Sequence, residues 1–401
     1  MKTRQIIGSL SVSSCLTLAS CTTPLSQETP DPKLQPVHEL PPLSSRPAAP
    51  KSASIKGLQR GINLGNYLDS PKGTNWRPDG IGDDYLAHLS QLGFDHVRLP
   101  VRFADYALEQ APFTIDEGFF KKVDDAIASA HRHKLSVILD FHHYEKIMHE
   151  PEAHRARAIA LWEQIAQRYQ KQALDTLLFE PMNEPMDKLA GDVWNSIASD
   201  LIQTIRKSNP KRLIIVDSAY WAAASRLPEL KLPSPKQDPN IVPSFHMYEP
   251  YLFTHQGAPW STPKEMTATK AIVFPGPGPK PVAIPSAIGP DLAWVRDWLN
   301  DYNKKPVQDN PSGMTRIIQE FAHVDKLIQQ GYRVYLGEFG AIEYADMKSR
   351  ENYVRLIREE AERRNIAWCY WDDGGAFKVI DRKKGDVLPL RAALLNETSA
   401  K

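Results

Sequence analysis

The sequence predicts a (β/α)8 barrel over residues 55–401, and three observations predict it. Eight short apolar runs punctuate that span, at 57–64, 94–101, 135–141, 176–182, 212–216, 241–247, 332–337 and 366–371, each of strand length. Between most of them apolar residues recur at helical spacing. Several runs also end in polar, chemically useful residues, and in a parallel barrel such ends converge on one rim. A doubly wound open sheet would alternate in the same way, but no glycine-rich phosphate loop follows the first run.

Ahead of the barrel the chain reads as an address and a tether. Lys2 and Arg4 precede a modest apolar segment, 6–18, that is too short and too serine-rich to span a bilayer as a stable helix. Leu18-Ala19-Ser20-Cys21 then resembles the lipobox of bacterial lipoproteins. The resemblance implies a signal at 1–21 and lipidation of Cys21 after cleavage. Thr22 stands where an aspartate is associated with inner-membrane retention in that family, so the resemblance implies an outer-membrane lipid anchor. An ordinary secretory signal cleaved nearby is the alternative. Residues 22–54 carry Pro24, Pro30, Pro32, Pro36, Pro41, Pro42, Pro47 and Pro50 among serines and charges, with little to bury. They read as a disordered linker able to reach about 90 Å, at about 3.1 Å per residue.

Within the barrel the helical pattern is carried by Phe119, Val123, Ile127 and Ala130, then by Ile159, Trp162, Ile165 and Tyr169. Trp194, Ile197, Leu201 and Ile205 follow, then Met314, Ile317, Phe321 and Val324, and last Tyr353, Ile357 and Ala361. One interval, 251–310, is irregular. Pro275-Gly276-Pro277-Gly278-Pro279 at its middle forbids a continuous helix or a central strand there. An extended loop after the sixth strand is expected at the carboxyl face, shaping the site or running over the surface.

Composition narrows the function classes. A 42% hydrophobic and 24% charged chain of 401 residues fits a soluble globular protein, and a net charge of +1 leaves no footprint for nucleic acid or acidic substrates. Three cysteines form no disulfide framework, and Cys369 in an apolar run reads as a buried hydrophobe. A monomer is expected.

The chemistry lies at the run ends. Glu184, in Asn183-Glu184-Pro185, ends the fourth run, and Glu338, in Gly337-Glu338-Phe339-Gly340, ends the seventh. Two carboxylates facing one glycosidic bond can divide the work of a retaining glycosidase, one protonating the leaving oxygen and the other attacking the carbon. Around them stand Asn63 and Asn66, Arg98, His142 and His143, His246 and Tyr248, and Trp371. Paired histidines with His246 could suggest zinc, but no fourth ligand appears at a recognisable spacing, so no metal is expected.

As a set these residues resemble glycoside hydrolase family 5, the family of many bacterial cellulases, over nearly the whole barrel. The resemblance implies Glu184 as acid/base and Glu338 as nucleophile, with no cofactor. It implies that Asn183 holds the sugar 2-hydroxyl, that Arg98 and Tyr248 hydrogen-bond the nucleophile, and that His142 and His246, with His143 beside them, position sugar and catalytic groups. Trp371 would form the floor under the pyranose ring, since an aromatic face suits a sugar's C–H face. Asn63 and Trp221 are further candidate binders, while Trp76 and Trp260 are equally readable as outer platforms or rim packing. Asp69, where relatives often have glutamate, and Glu249 depart from the pattern. The implied activity is an endo-β-1,4-glucanase acting on β-linked polysaccharide or oligosaccharide. Mannan, xyloglucan and mixed-linkage β-glucan stay open as substrates, and a non-catalytic glycan-binding lipoprotein is the alternative class.

Overall fold

The computed structural model describes residues 38–286, 288–382 and 384–396. Cys21, the expected signal and the first part of the expected linker lie outside the described residues. Eight parallel strands close into a barrel in sequence order. They are β1 (Arg60–Asn63), β2 (His96–Val101), β3 (Ser136–Phe141), β4 (Leu177–Glu180), β5 (Ile214–Asp217), β6 (Ile241–Met247), β7 (Tyr335–Phe339) and β8 (Ala367–Tyr370). β8 closes on β1 with Gly61 opposite Cys369.

The two-residue pleat explains how an apolar core carries a charged rim. Ile138, Leu178, Ile215, Val242, Tyr335 and Cys369 pack together inside the lower barrel. Two residues further along the strands stand Asp140, Glu180, Asp217 and Ser244, all buried. Residues of the opposite pleat, Leu139, Phe179, Val216 and Phe245 among them, belong to the larger cluster shared with the helices outside.

The main helices are α1 (Asp83–Gln91), α2 (Glu117–Arg132), α3 (Pro151–Arg168), α4 (Gly191–Ser208), α5 (Ala293–Lys304), α6 (Met314–Gln329), α7 (Met347–Arg363) and α8 (Leu390–Leu395). Asp116 caps α2 by accepting the Phe119 N–H, and Asp346 caps α7 by accepting that of Ser349. Pro151 opens α3, where its missing N–H costs nothing. No full helix follows β5; a 3-10 turn, Ala224–Glu229, takes its place.

Two expectations are corrected. The interval 251–310 is not one extended loop, because Val295, Leu299 and Tyr302 bury one face of α5 within it. Residues 38–54 are not a free tether either, but a strap laid along α7. The His38 carbonyl accepts from Asn352 Nδ2 at 3.3 Å, Arg46 pairs with Glu359 at 2.8 Å and Glu360 at 3.1 Å, and the Ser52 N–H donates to the Arg364 carbonyl at 2.7 Å. Buried partners hold down a segment whose prolines alone read as unattached. Among the described residues no helix is long and apolar enough to cross a membrane.

Candidate active site

The site is built on a local irregularity. β6 and β7 pair as Ser244 with Tyr335 and Phe245 with Leu336, then slip so that His246 lies opposite Glu338. The skipped residue is Gly337, and a Cβ there would come within 2.8 Å of His246 Nε2. A bulge at glycine therefore re-aims Glu338 and brings the imidazole against the strand that carries it.

Glu338 is only 5% exposed and is gripped from two sides. Arg98 Nη1 donates to its Oε1 at 2.6 Å, and the Tyr248 hydroxyl donates to its Oε2 at 2.9 Å. Arg98 is wholly buried and spends its remaining donors on a cage. Nε and Nη2 bind Glu180 at 2.9 and 2.7 Å, Nη2 reaches Asn183 Oδ1 at 2.7 Å and Asp140 at 3.0 Å, and Nη1 reaches Asn63 Oδ1 at 2.9 Å. Its ion pairs with Asp140 and Glu180 and its contact with Glu338 thus coexist. Asn63 is itself fully buried, donating to the Gly337 and Tyr370 carbonyls, so it orients Arg98 instead of meeting a ligand.

Glu184 follows β4 in a left-handed backbone conformation, φ 47°. Its Oε1 lies 2.7 Å from His246 Nδ1, and that nitrogen is 3.7 Å from Glu338 Oε2. Oxygens of the two glutamates and a His246 nitrogen all lie within 4.8 Å of one another. His142 hands Nδ1 to Asp140 at 2.6 Å and stacks against Trp371, the ring centroids 5.7 Å apart and 5° from parallel. Trp371 joins Asp372 through a cis peptide bond. His143 is only partly buried, edge-on to His142 at 4.2 Å and to Trp76 at 6.4 Å. Trp76 thereby stands beside the described groups, and Trp260 reaches them through Phe377, which neighbours Tyr248. Trp221 is 57% exposed on three successive left-handed residues, Tyr220, Trp221 and Ala222.

Charge is set by burial and by neighbours. Burial pushes the Glu338 carboxyl up to about 7, against the pull of His246 and Arg98. Burial works to lower His246, but Glu338, Asp217 and Glu184 prevail and hold it up at about 10. Burial carries Asp140 up to about 8 and raises Glu180 as well, which Arg98 only partly counters. His142 falls well below the usual imidazole range through burial and the nearby Arg98 charge. Metal-type donors do cluster here, as Asp69 with His142 and His143, and Glu180 with Asp217 and His246. A ligating imidazole must be neutral. His246 is held up at about 10 and so is a poor ligand near neutral pH, whereas His142, with Nδ1 on Asp140, still presents Nε2.

Sequence reading missed Asp140, Glu180 and Asp217. The signal was present, since a carboxylate at the inward register of a fully buried strand needs a partner.

Comparison with known proteins agrees with this architecture. Residues 59–376 match Cellulase (glycosyl hydrolase family 5). Endoglucanase H of Acetivibrio thermocellus is 29% identical over 84% of this chain and 32% of its own length, and Endoglucanase 3 of Fibrobacter succinogenes is 25% identical over 82% and 52%. The chain thus spans about a third to a half of these curated relatives. Among solved structures, the clostridial cellulose synthase subunit Z from Clostridioides difficile is 34% identical with a TM-score of 0.70, covering 84% of this chain and 98% of that one. Thermotoga maritima Cel5A, described with cellobiose and with mannotriose, is 31% identical with a TM-score of 0.71, covering 85% and 97%. The chain belongs to glycosyl hydrolase family 5.

Proposed function

We propose that the protein is a retaining endo-β-1,4-glucanase that cleaves β-glucan by double displacement. The observation that carries this reading is the closeness of the two glutamates, with oxygens within 4.8 Å. Carboxyl groups about 5–5.5 Å apart suit direct attack and a covalent intermediate, whereas inversion needs about 6.5–9.5 Å to admit a water. Glu338, held by Arg98 and Tyr248, attacks the anomeric carbon while Glu184 protonates the departing oxygen. Glu184 then takes a proton from water, which releases the sugar from Glu338. Asn183 has its Oδ1 engaged by Arg98, so its amide N–H is the group it can offer the sugar 2-hydroxyl. Trp371, stacked on His142, offers the flat apolar face for the ring.

Reducing-sugar release from carboxymethylcellulose, barley β-glucan, xyloglucan and mannan in parallel tests the reading. The glucans should be cleaved fastest, and NMR should show the β-anomer formed first. Release from mannan alone would move the substrate class, for which the mannotriose complex of the Thermotoga protein is the supporting observation. A first-formed α-anomer would exclude retention. We also propose that Cys21 carries a lipid anchor, from its place in Leu18-Ala19-Ser20-Cys21.

A further inference from the structure

Asp217 ends β5 with its side chain fully buried, and the chemistry proposed above does not use it. Its Oδ2 accepts the backbone N–H of Glu184 at 3.1 Å and lies 3.5 Å from His246 Nε2. The opposite nitrogen of the same ring is the one 2.7 Å from the Glu184 carboxyl. Asp217 therefore holds Glu184 at both ends, directly at the backbone and through the imidazole at the carboxyl tip. The first contact matters because Glu184 is left-handed at φ 47° and is followed by proline. A non-glycine residue persists in that region only under local restraint. Asp217 is itself fixed, since Trp194 Nε1 donates to its carbonyl at 2.9 Å.

The second contact bears on the proton. An imidazole with a carboxylate near each nitrogen is favoured as a cation; here Nδ1 is hydrogen-bonded to Glu184, while Nε2 meets Asp217 as an ion pair without a hydrogen bond. Other groups also face this ring. Glu338 on β7 lies 3.7 Å from Nδ1, and Glu180 on β4 lies within 4.8 Å. Asp140 on β3 and His142 just after it also interact with the ring, and Tyr248 lies further along its own chain segment. Among these acids only Asp217 meets both Nε2 and the Glu184 amide.

We infer that Asp217 is a positioning residue for the acid/base step, aiming Glu184 through its backbone and keeping the His246–Glu184 pair charged with its proton. The inference rests on the role proposed for Glu184. Asp217→Asn preserves shape and an acceptor for the Glu184 N–H but removes the charge, while Asp217→Ala removes both. Each variant is compared with wild type on a cello-oligosaccharide, whose leaving oxygen needs a proton, and on a dinitrophenyl cellobioside, whose phenolate leaves without one.

For Asp217→Asn, kcat/KM on the oligosaccharide should fall about 10²-fold, the scale of general-acid assistance. The aryl substrate should change little, and the alkaline limb of the pH profile should move to lower pH. Asp217→Ala should lose more on the oligosaccharide. Equal losses on both substrates, or an unmoved alkaline limb, would overturn the inference. If neither variant folds, 15N NMR of wild-type His246 decides: a ring protonated on both nitrogens at neutral pH supports it, and a neutral ring overturns it. A wild type inactive on both substrates would instead fail the proposed function.

Discussion

At the scale of single residues, the two glutamates differ in what holds them, and that difference supports the roles proposed for them. Glu338 takes a guanidinium and a phenol hydroxyl, groups that stabilise a standing negative charge. Glu184 takes only the ring of His246, through which a proton can be held. Glu184→Ala should cut polysaccharide cleavage by about 10²–10⁴-fold yet spare the first step on an aryl glycoside. Azide should rescue its second step and give a β-glycosyl azide, while Glu338→Ala should give the α-product. The opposite pattern would reverse the roles. The pH dependence follows from the same contacts. Glu338 must be ionised to attack, and burial holds its carboxyl up at about 7, so kcat/KM should fall as pH drops through that value. The Tyr248 hydrogen bond acts to lower that carboxyl. Tyr248→Phe should therefore move the acid limb upward by about one pH unit, taking a hydrogen bond to a charged group as about 1.5 kcal/mol. A limb that stays in place would show that Tyr248 does not tune the nucleophile.

At the scale of elements, the bulge in β7 does what regular pairing would not. Without the slip at Gly337, His246 and Glu338 would not share a register position. Gly337→Ala would place a methyl group 2.8 Å from His246 Nε2 and 3.2 Å from Ser244 Oγ. The ring must then move, and a misplacement of about 1 Å is expected to cost about 10²-fold in kcat. Circular dichroism should show the barrel intact; a fully active variant would mean that the imidazole position is not critical. This bulge was not legible in the sequence, where Gly337 reads only as the residue before Glu338. The eight strands were legible because each is a short apolar run, although β7 extends to Phe339 and so contains Glu338 within the strand. Helix α5 was hidden by the proline-rich stretch before it, despite the regular spacing of Val295, Leu299 and Tyr302. α1 was missed because it is short and buries only Leu86 and Leu89.

At the scale of the whole molecule, the barrel is apolar at one end and charged at the other, and the strap runs along its outside between the two ends. β1 is entered from the end opposite the rim that carries the two glutamates. Before it, 38–54 runs back along α7, from Ser52 beside Arg364 to His38 beside Asn352. Asn352 also contacts the Phe274 carbonyl in the segment after β6, which places His38 toward the catalytic end. None of this was readable beforehand, because Arg46 gives no sign in the sequence that Glu359 and Glu360 await it across more than three hundred positions. The two glutamates, by contrast, were readable as candidates because each follows an apolar run beside proline or glycine. Cys21→Ala should shift the protein from the membrane fraction to the soluble fraction while leaving kcat/KM on a soluble cello-oligosaccharide unchanged. On glucan attached to the same membrane its turnover should fall, because the gain in local concentration is lost. Mass spectrometry of the mature N-terminus gives the independent check. An unmodified start elsewhere in the chain, or free release of the wild-type protein, would remove the anchor.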